Sequence, residues 1–195
     1  MARHNVVRKI KNRTTIILVM LLISIMVSWV IWGNLSVETT KLTVTSKDLP
    51  EAFDKFSIAH ISDLHNAEYG KNNEKLIDIL EAESPNIIAI TGDLIDSNHT
   101  NLEVALSFAQ QAVKIAPCYF VTGNHEAWIG SQYEELKTSL QNTGITVLQD
   151  EAIELNYGDV CIQLIGLNDP DFSERDRLLS ESILETKLSQ VNISN

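Results

Sequence analysis

Between residues 56 and 126 the chain reads FSIAHISDLH (56–65), IIAITGDLID (87–96) and CYFVTGNHE (118–126). Each stretch opens as a short apolar run and closes in a loop rich in carboxylate, amide and imidazole groups. Short apolar runs bounded by polar loops read as strands buried on both faces. Helical spacing fills the gaps. Over Asn72–Glu83, Leu76, Ile77 and Leu80 share one face, and Pro85 lies just beyond the end. Over Thr100–Ala116, Leu102, Ala105, Leu106, Ala109, Ala112 and Val113 repeat at helical period, and Thr100 with Glu103 reads as a capping box. Strand–helix–strand alternation predicts an α/β fold with a largely parallel sheet and right-handed crossovers. Ligands in such sheets bind beyond the carboxyl ends of the strands.

Toward the C-terminus, Ser131 and Glu134 suggest a second capping box. It opens a helix whose apolar face is Tyr133, Leu136 and Leu140 and which Gly144 ends. Strands are expected at Thr146–Leu148, Ile153–Leu155 and Val160–Leu167. A last helix is expected from about Ser173 to Val191, with Leu179, Ile183, Leu184 and Leu188 as a packing stripe. Toward the N-terminus, the alternation Lys41-Leu42-Thr43-Val44-Thr45 reads as an outer strand. The expected domain therefore spans residues 40–195, with 33–39 as a linker.

Residues 14–32, TTIILVMLLISIMVSWVIW, carry no charge. A helix of that length spans a hydrocarbon layer of about 30 Å. Trp29 and Trp32 fall at its distal end, where interfacial aromatics are favoured. Residues 1–13 hold Arg3, Arg8, Lys9, Lys11 and Arg13 and no acid. That asymmetry predicts a cytoplasmic N-terminus, a single-pass signal anchor and an extracytoplasmic domain. A cleaved signal peptide is the rival reading; its apolar core would be shorter, and no small-x-small cleavage site follows Trp32. Asn34-Leu35-Ser36, Asn98-His99-Thr100 and Asn192-Ile193-Ser194 match the short glycosylation tripeptide.

The net charge is −11, and beyond residue 13 ten cations face 26 acids. So acidic a body is a poor nucleic-acid groove, because phosphate backbones need a basic footprint. Small phosphorylated substrates stay open, since bound cations reverse a local field. The only cysteines, Cys118 and Cys161, sit in apolar runs and read as two buried thiols, with a disulfide open for an extracytoplasmic domain.

Thirty residues separate Asp63 from Asp93 and thirty-one separate Asp93 from Asn124, one strand–helix unit each. The three loops should open on one rim. Asp63 and His65, two apart on an extended loop, can face the same point. Asp93 follows a glycine that lets the backbone turn, and its two oxygens could bridge two cations. Asn124 offers an amide oxygen. Mixed oxygen and imidazole donors suit Mn, Fe, Zn or Co. Two divalent metal ions about 3.5–4 Å apart can hold a hydroxide between them and clamp an in-line displacement.

The ordered set DxH, GD and GNHE, each after a buried strand, resembles the first three blocks of the calcineurin-like metallophosphoesterase family. The finer wording (ISDLH, TGDLIDS, VTGNHE, then IGLNDPDF) is similar to its bacterial membrane-associated branch. The resemblance covers about residues 40–172. It implies a two-sheet sandwich flanked by helices. It implies that Asp63 and His65 bind a first metal, that Asp93 bridges two and that Asn124 binds the second. His125 would face the phosphate as the catalytic imidazole, stabilising the transition state or protonating the leaving oxygen, and Glu126 would orient the loop. The family completes its site with a further histidine loop and a GHxH block. Here the histidines are His4, His60, His65, His99 and His125, so those blocks are not in this sequence and the fold is expected to be incomplete at the C-terminus. Asp169 and Asp171 show no pattern that would make them substitutes.

His60, inside a strand, reads as a structural histidine and His99 as a solvated loop residue. Asp96 is either a partner of the metal site or a helix-approach residue. The leading expectation is metal-dependent hydrolysis of a phosphomonoester, phosphodiester or pyrophosphate, the membrane tether suggesting a lipid-linked or envelope substrate. The alternative is a non-catalytic family member, a gene fragment or degenerate chain acting at most as a membrane-anchored binding protein.

Overall fold

The computed structural model describes residues 2–173 and 183–191, with side chains for 13–33, 36–173 and 183–191. The chain divides into two units, residues 1–39 and 40–195.

The first unit is helix α1, Ala2–Leu35. Its stretch Arg13–Gly33 is 21 residues long, apolar enough to cross a membrane, and unburied. A helix pairs its own backbone groups, which is what a segment without water requires. The side chains of Arg3, Arg8, Lys9 and Lys11 lie outside the described residues.

The second unit is built on a parallel sheet of β1 (Ile58–Ile61), β2 (Ile87–Thr91), β3 (Cys118–Val121) and β4 (Thr146–Val147), adjacent in that order. Helices α2 (Glu74–Glu83), α3 (Leu102–Ala112) and α5 (Gln132–Thr143) are the crossovers. One sheet face carries Ile88, Ile90, Cys118 and Phe120. These are buried, as are Leu76 and Leu80 of α2, Phe108, Ala109 and Ala112 of α3, and Leu136 and Leu140 of α5. Each fully buried Phe or Ile contributes roughly 1.5–3 kcal/mol over an exposed one. The opposite face meets a hairpin of β5 (Glu151–Tyr157) and β6 (Val160–Gly166), paired antiparallel from Glu151↔Gly166 to Tyr157↔Val160. Phe53, Ile87 and Leu155 form the core there, with Phe56, Tyr119, Val160, Ile162 and Leu164 packed around it. The expected two layers are thus a four-stranded sheet and a two-stranded one, with helices on the flank.

Several expectations need correction. Lys41–Thr45 is not a strand. It has no ladder partner among the described residues, and Leu42 and Val44 are 87% and 89% exposed. Alternation marks two unlike faces, but a strand also needs a neighbour to take its backbone groups. Cys161 is exposed, while Cys118 is buried, and both are free thiols. In β6 the inward positions are Val160, Ile162 and Leu164, so strand alternation turns Cys161 outward. Helix α3 is capped by Asn101, whose side chain accepts from Glu103 N–H, and not by Thr100. Ser131 has helical backbone angles and makes no capping bond.

Of the expected tail helix, Ile183–Gln190 is observed as α6; residues 174–182, Leu179 among them, and the tripeptide at Asn192 lie outside the described residues. Lys187 and, just past the end of α6, Val191 are buried, Ile183 and Leu188 are half-buried, and Leu184 of the expected stripe is exposed. Lys187 is 6% exposed and reaches both oxygens of Asp150 at 2.9 and 3.0 Å, while Leu184 faces solvent.

Candidate metal centre and active site

The ladder pairs Ile61 with Ile90 and Thr91 with Val121. The first three strands therefore end at one level, and the loops at 62–66, 92–96 and 122–126 share a rim. Two glycines let them close. Gly92 has φ +84°, and a Cβ on it would stand 2.5 Å from Gly123 N. A Cβ on Gly123 would fall on the Asp93 carboxylate. Backbone bonds zip the first two loops together: Asp63 N–H to Gly92 O (3.3 Å), His65 N–H to Asp93 O (2.8 Å) and Asn66 N–H to Leu94 O (3.2 Å). Asp63, His65, Asn66 and Asp93 all adopt positive φ, between 47° and 59°. Left-handed backbone in non-glycine residues is costly and clusters where function holds it in place.

The loops bring donor atoms together. His65 Nε2 lies 3.8 Å from Asp63 Oδ1 and 3.8 Å from Asp93 Oδ2. Two donors each about 2.1 Å from one cation can stand no more than about 4.2 Å apart, so both pairs fit a shared divalent ion. Ser62 Oγ hydrogen-bonds Asp63 Oδ2. Donor atoms of His65, Asp93 and His125 also lie within 4.8 Å of one another. The oxygen-and-imidazole chemistry fits a divalent metal. Asn124 is the first residue of α4 (Asn124–Trp128), a short helix where the sequence suggested only a loop.

Glu126 explains the rim's rigidity. It is 0% exposed. Its Oε2 accepts from Asp93 N–H and Gly123 N–H, both at 2.8 Å, and its Oε1 from Leu94 N–H (3.0 Å) and Ile95 N–H (3.3 Å). Burial raises the pKa of this carboxyl; the amides of Gly123, Asp93 and Ile95 pull it down. A carboxylate taking four amides is anchored as an acceptor, so we regard it as ionised. One side chain thereby staples the second loop to the third. Asn66 does the same for the first and second: its Oδ1 accepts from Asp96 N–H (2.9 Å) and Asn101 N–H (3.1 Å).

His125 is held at both backbone and ring. Its N–H donates to Asp93 Oδ1 (3.0 Å), and its Nδ1 accepts from Ser97 N–H (3.0 Å). A neutral imidazole that accepts at Nδ1 carries its proton on Nε2. The ring therefore presents an N–H rather than a lone pair. Asp96 Oδ1 is 3.7 Å from Nδ1, beyond hydrogen-bond range, and accepts instead from Asn98 N–H (2.8 Å). That amide bond is the main reason the Asp96 carboxyl titrates below its ordinary range. Asp96 is thus a local turn former beside the imidazole.

Among the other residues singled out in the sequence, His60 bonds Thr91 Oγ1 at 2.6 Å, and His99 is solvated. Asp169 caps the 3₁₀ turn Pro170–Phe172 by accepting from Asp171 N–H (2.8 Å). Burial raises its pKa. Asp171 accepts from Trp128 Nε1–H at 2.7 Å. The roles of Asn66, Trp128 and Asp171 were not foreseen. Their partners are 30 to 43 residues distant, so no local pattern announces them.

A sequence profile described as calcineurin-like phosphoesterase matches residues 56–190, more than half of the chain. An uncharacterized metallophosphoesterase of Bacillus subtilis (strain 168), YkoQ, is 28% identical over 137 residues, covering 68% of this chain and 50% of that protein. An uncharacterized metallophosphoesterase of Aquifex aeolicus (strain VF5) is 29% identical over 136 residues, covering 67% of this chain and 49% of its own length. A putative metallophosphoesterase of Caenorhabditis elegans, F40B5.2, is 34% identical over 110 residues, covering 54% and 23%. The chain spans about half the length, or less, of these relatives.

Proposed function

The chain belongs to the calcineurin-like phosphoesterase family, and on that premise we propose that it is a metal-dependent hydrolase of a phosphomonoester, phosphodiester or pyrophosphate. The observation that carries this reading is the position of His65 Nε2, 3.8 Å from Asp63 Oδ1 and 3.8 Å from Asp93 Oδ2, beside the His125 ring. Asp63, His65 and Asp93 would hold a first divalent ion. Asp93, whose two oxygens face different neighbours, would share a second with Asn124. Bound divalent ions supply charge neutralisation at phosphorus and lower the pKa of water at the site.

The chain's own contribution is placement. His125, with its proton on Nε2, donates a hydrogen bond to the phosphoryl group as negative charge builds on it. Protonating the leaving oxygen would require a second proton on Nδ1, where Ser97 N–H already points. Charge stabilisation is therefore the role we assign to His125. Glu126 and Asn66 keep the three loops from moving as that charge builds.

The test uses the full chain in detergent with Mn²⁺ and p-nitrophenyl phosphate or its bis-ester. Turnover is expected for the wild type and background for Asp93→Asn. Equal rates for the two would reject the hydrolase reading. A second reading is favoured by one observation: among the described residues, one group of His and Asp donors, His65, Asp93 and His125, lies close enough to hold an ion. Metal uptake by calorimetry without turnover would support a membrane-anchored binding protein.

We place the domain outside the cytoplasm on a single-pass anchor, facing a phosphorylated and lipid-linked substrate. The uncharged span and the five preceding cations support this. Protease added to intact spheroplasts should degrade residues 40–195. Protection there, with cleavage only after lysis, would reverse the orientation.

A further inference from the structure

Trp128 is 57% exposed, the largest exposed side chain described in the 40–195 unit. An indole left half in water forgoes a sizeable burial gain. Yet it is not loose. Its Nε1–H donates to Asp171 Oδ2 at 2.7 Å. Its ring centroid lies 4.9 Å from that of His125, tilted by 40°. His125 in turn stands 4.4 Å from His65, edge to face. The His125 ring thus touches both His65, beside the Asp63 and Asp93 carboxylates, and the exposed Trp128.

The anchor of the indole is itself braced. Asp171 lies in the turn Pro170–Phe172, which Asp169 caps. Phe172 packs edge to face on Tyr133 at 4.8 Å. Asp169 N–H donates to Thr122 Oγ1 (3.1 Å), and Thr122 Oγ1 donates to Asn168 Oδ1 (3.1 Å), which ties the turn to the end of β3. A rigid flat apolar surface held beside a reacting centre is the design of a recognition surface rather than of a core residue.

Building on the phosphoesterase reading above, we propose that Trp128 forms the leaving-group wall of the site, selecting phosphoesters whose leaving group is flat and apolar next to the phosphorus. A phosphoryl group at the His65–His125 end leaves its substituent at the exposed indole, where stacking gains about 1–3 kcal/mol per ring. Asp171 is the positioning residue that holds the indole at its angle.

The test needs no turnover. The full chain carrying Trp29→Phe and Trp32→Phe retains Trp128 as its lone tryptophan, because the sequence has three. With Mn²⁺ present, phenylphosphonate and methylphosphonate are titrated by calorimetry and by Trp128 emission. Phenylphosphonate should bind about tenfold more tightly, the equivalent of about 1.4 kcal/mol. Trp128→Ala should abolish that preference and leave methylphosphonate affinity unchanged. Trp128→Phe should retain most of it; Asp171→Ala should lose part of it and Asp171→Asn recover it. Loss of both ligands in Trp128→Ala would make the indole merely structural and overturn the assignment. A wild type that binds both ligands equally would overturn it as well. A wild type that binds neither would remove the phosphoester site itself, and the wall with it.

Discussion

Two buried charges hold two regions of the 40–195 unit, and they do so by opposite means. At the rim, Glu126 is surrounded by backbone amides from two loops. At the tail, Lys187 is buried against the Asp150 carboxylate, which also accepts from Asn168 N–H at 2.9 Å. Amides are fixed by the chain path, so a carboxylate that takes four of them dictates backbone geometry. An ion pair between two side chains dictates only that two surfaces touch. The rim is therefore built for accuracy, and the α6 dock for attachment.

The largest effect should come from Glu126→Ala. It strands four amides, those of Leu94 and Ile95 in buried residues, and each buried one costs roughly 1–3 kcal/mol when unpaired. We expect a stability loss of at least about 3 kcal/mol in urea unfolding of the detergent-solubilised chain, with loss of metal uptake. A loss below about 1 kcal/mol would mean that the rim does not depend on this carboxylate. Gly123→Ala comes next. Its new methyl meets the Asp93 carboxylate, and relieving such a clash costs about 1–3 kcal/mol. Metal affinity should fall by at least about tenfold, because the displaced group is a proposed ligand. Unchanged calorimetric affinity would show that the loops can spread freely. Lys187→Met should have the smallest effect. Asp150 is partly exposed and can rehydrate, so about 1–2 kcal/mol is expected. Metal affinity should stay within twofold of wild type. A large drop there would mean that the tail dock and the rim are one cooperative unit, and the contrast between them would vanish.

The three strand ends were legible because their signal is local. Ile87–Thr91 is observed as read, and the spacing of Asp63, Asp93 and Asn124 follows from one strand–helix unit each. That His65 lies near both Asp63 and Asp93 follows from the same local loops. What was hidden is non-local or depends on a partner. Nothing near Asn66 in the sequence says that it reaches Asn101, and nothing at Trp128 points to Asp171. Glu126 was read as steadying its own loop; that it also fixes Asp93–Ile95 required the fold. Thr100 and Asn101 are both good caps, and only backbone angles decide between them. Lys41–Thr45 shows the converse error, a correct local pattern with no neighbour to pair it.

The outward turn of Cys161 carries a practical consequence. Its fellow thiol Cys118 is sealed in the sheet, and burial pushes it up to about 12. A folded chain should therefore take up one maleimide and an unfolded chain two. Added to living cells as an impermeant reagent, that maleimide reports compartment and integrity in a single labelling stoichiometry, without altering a residue.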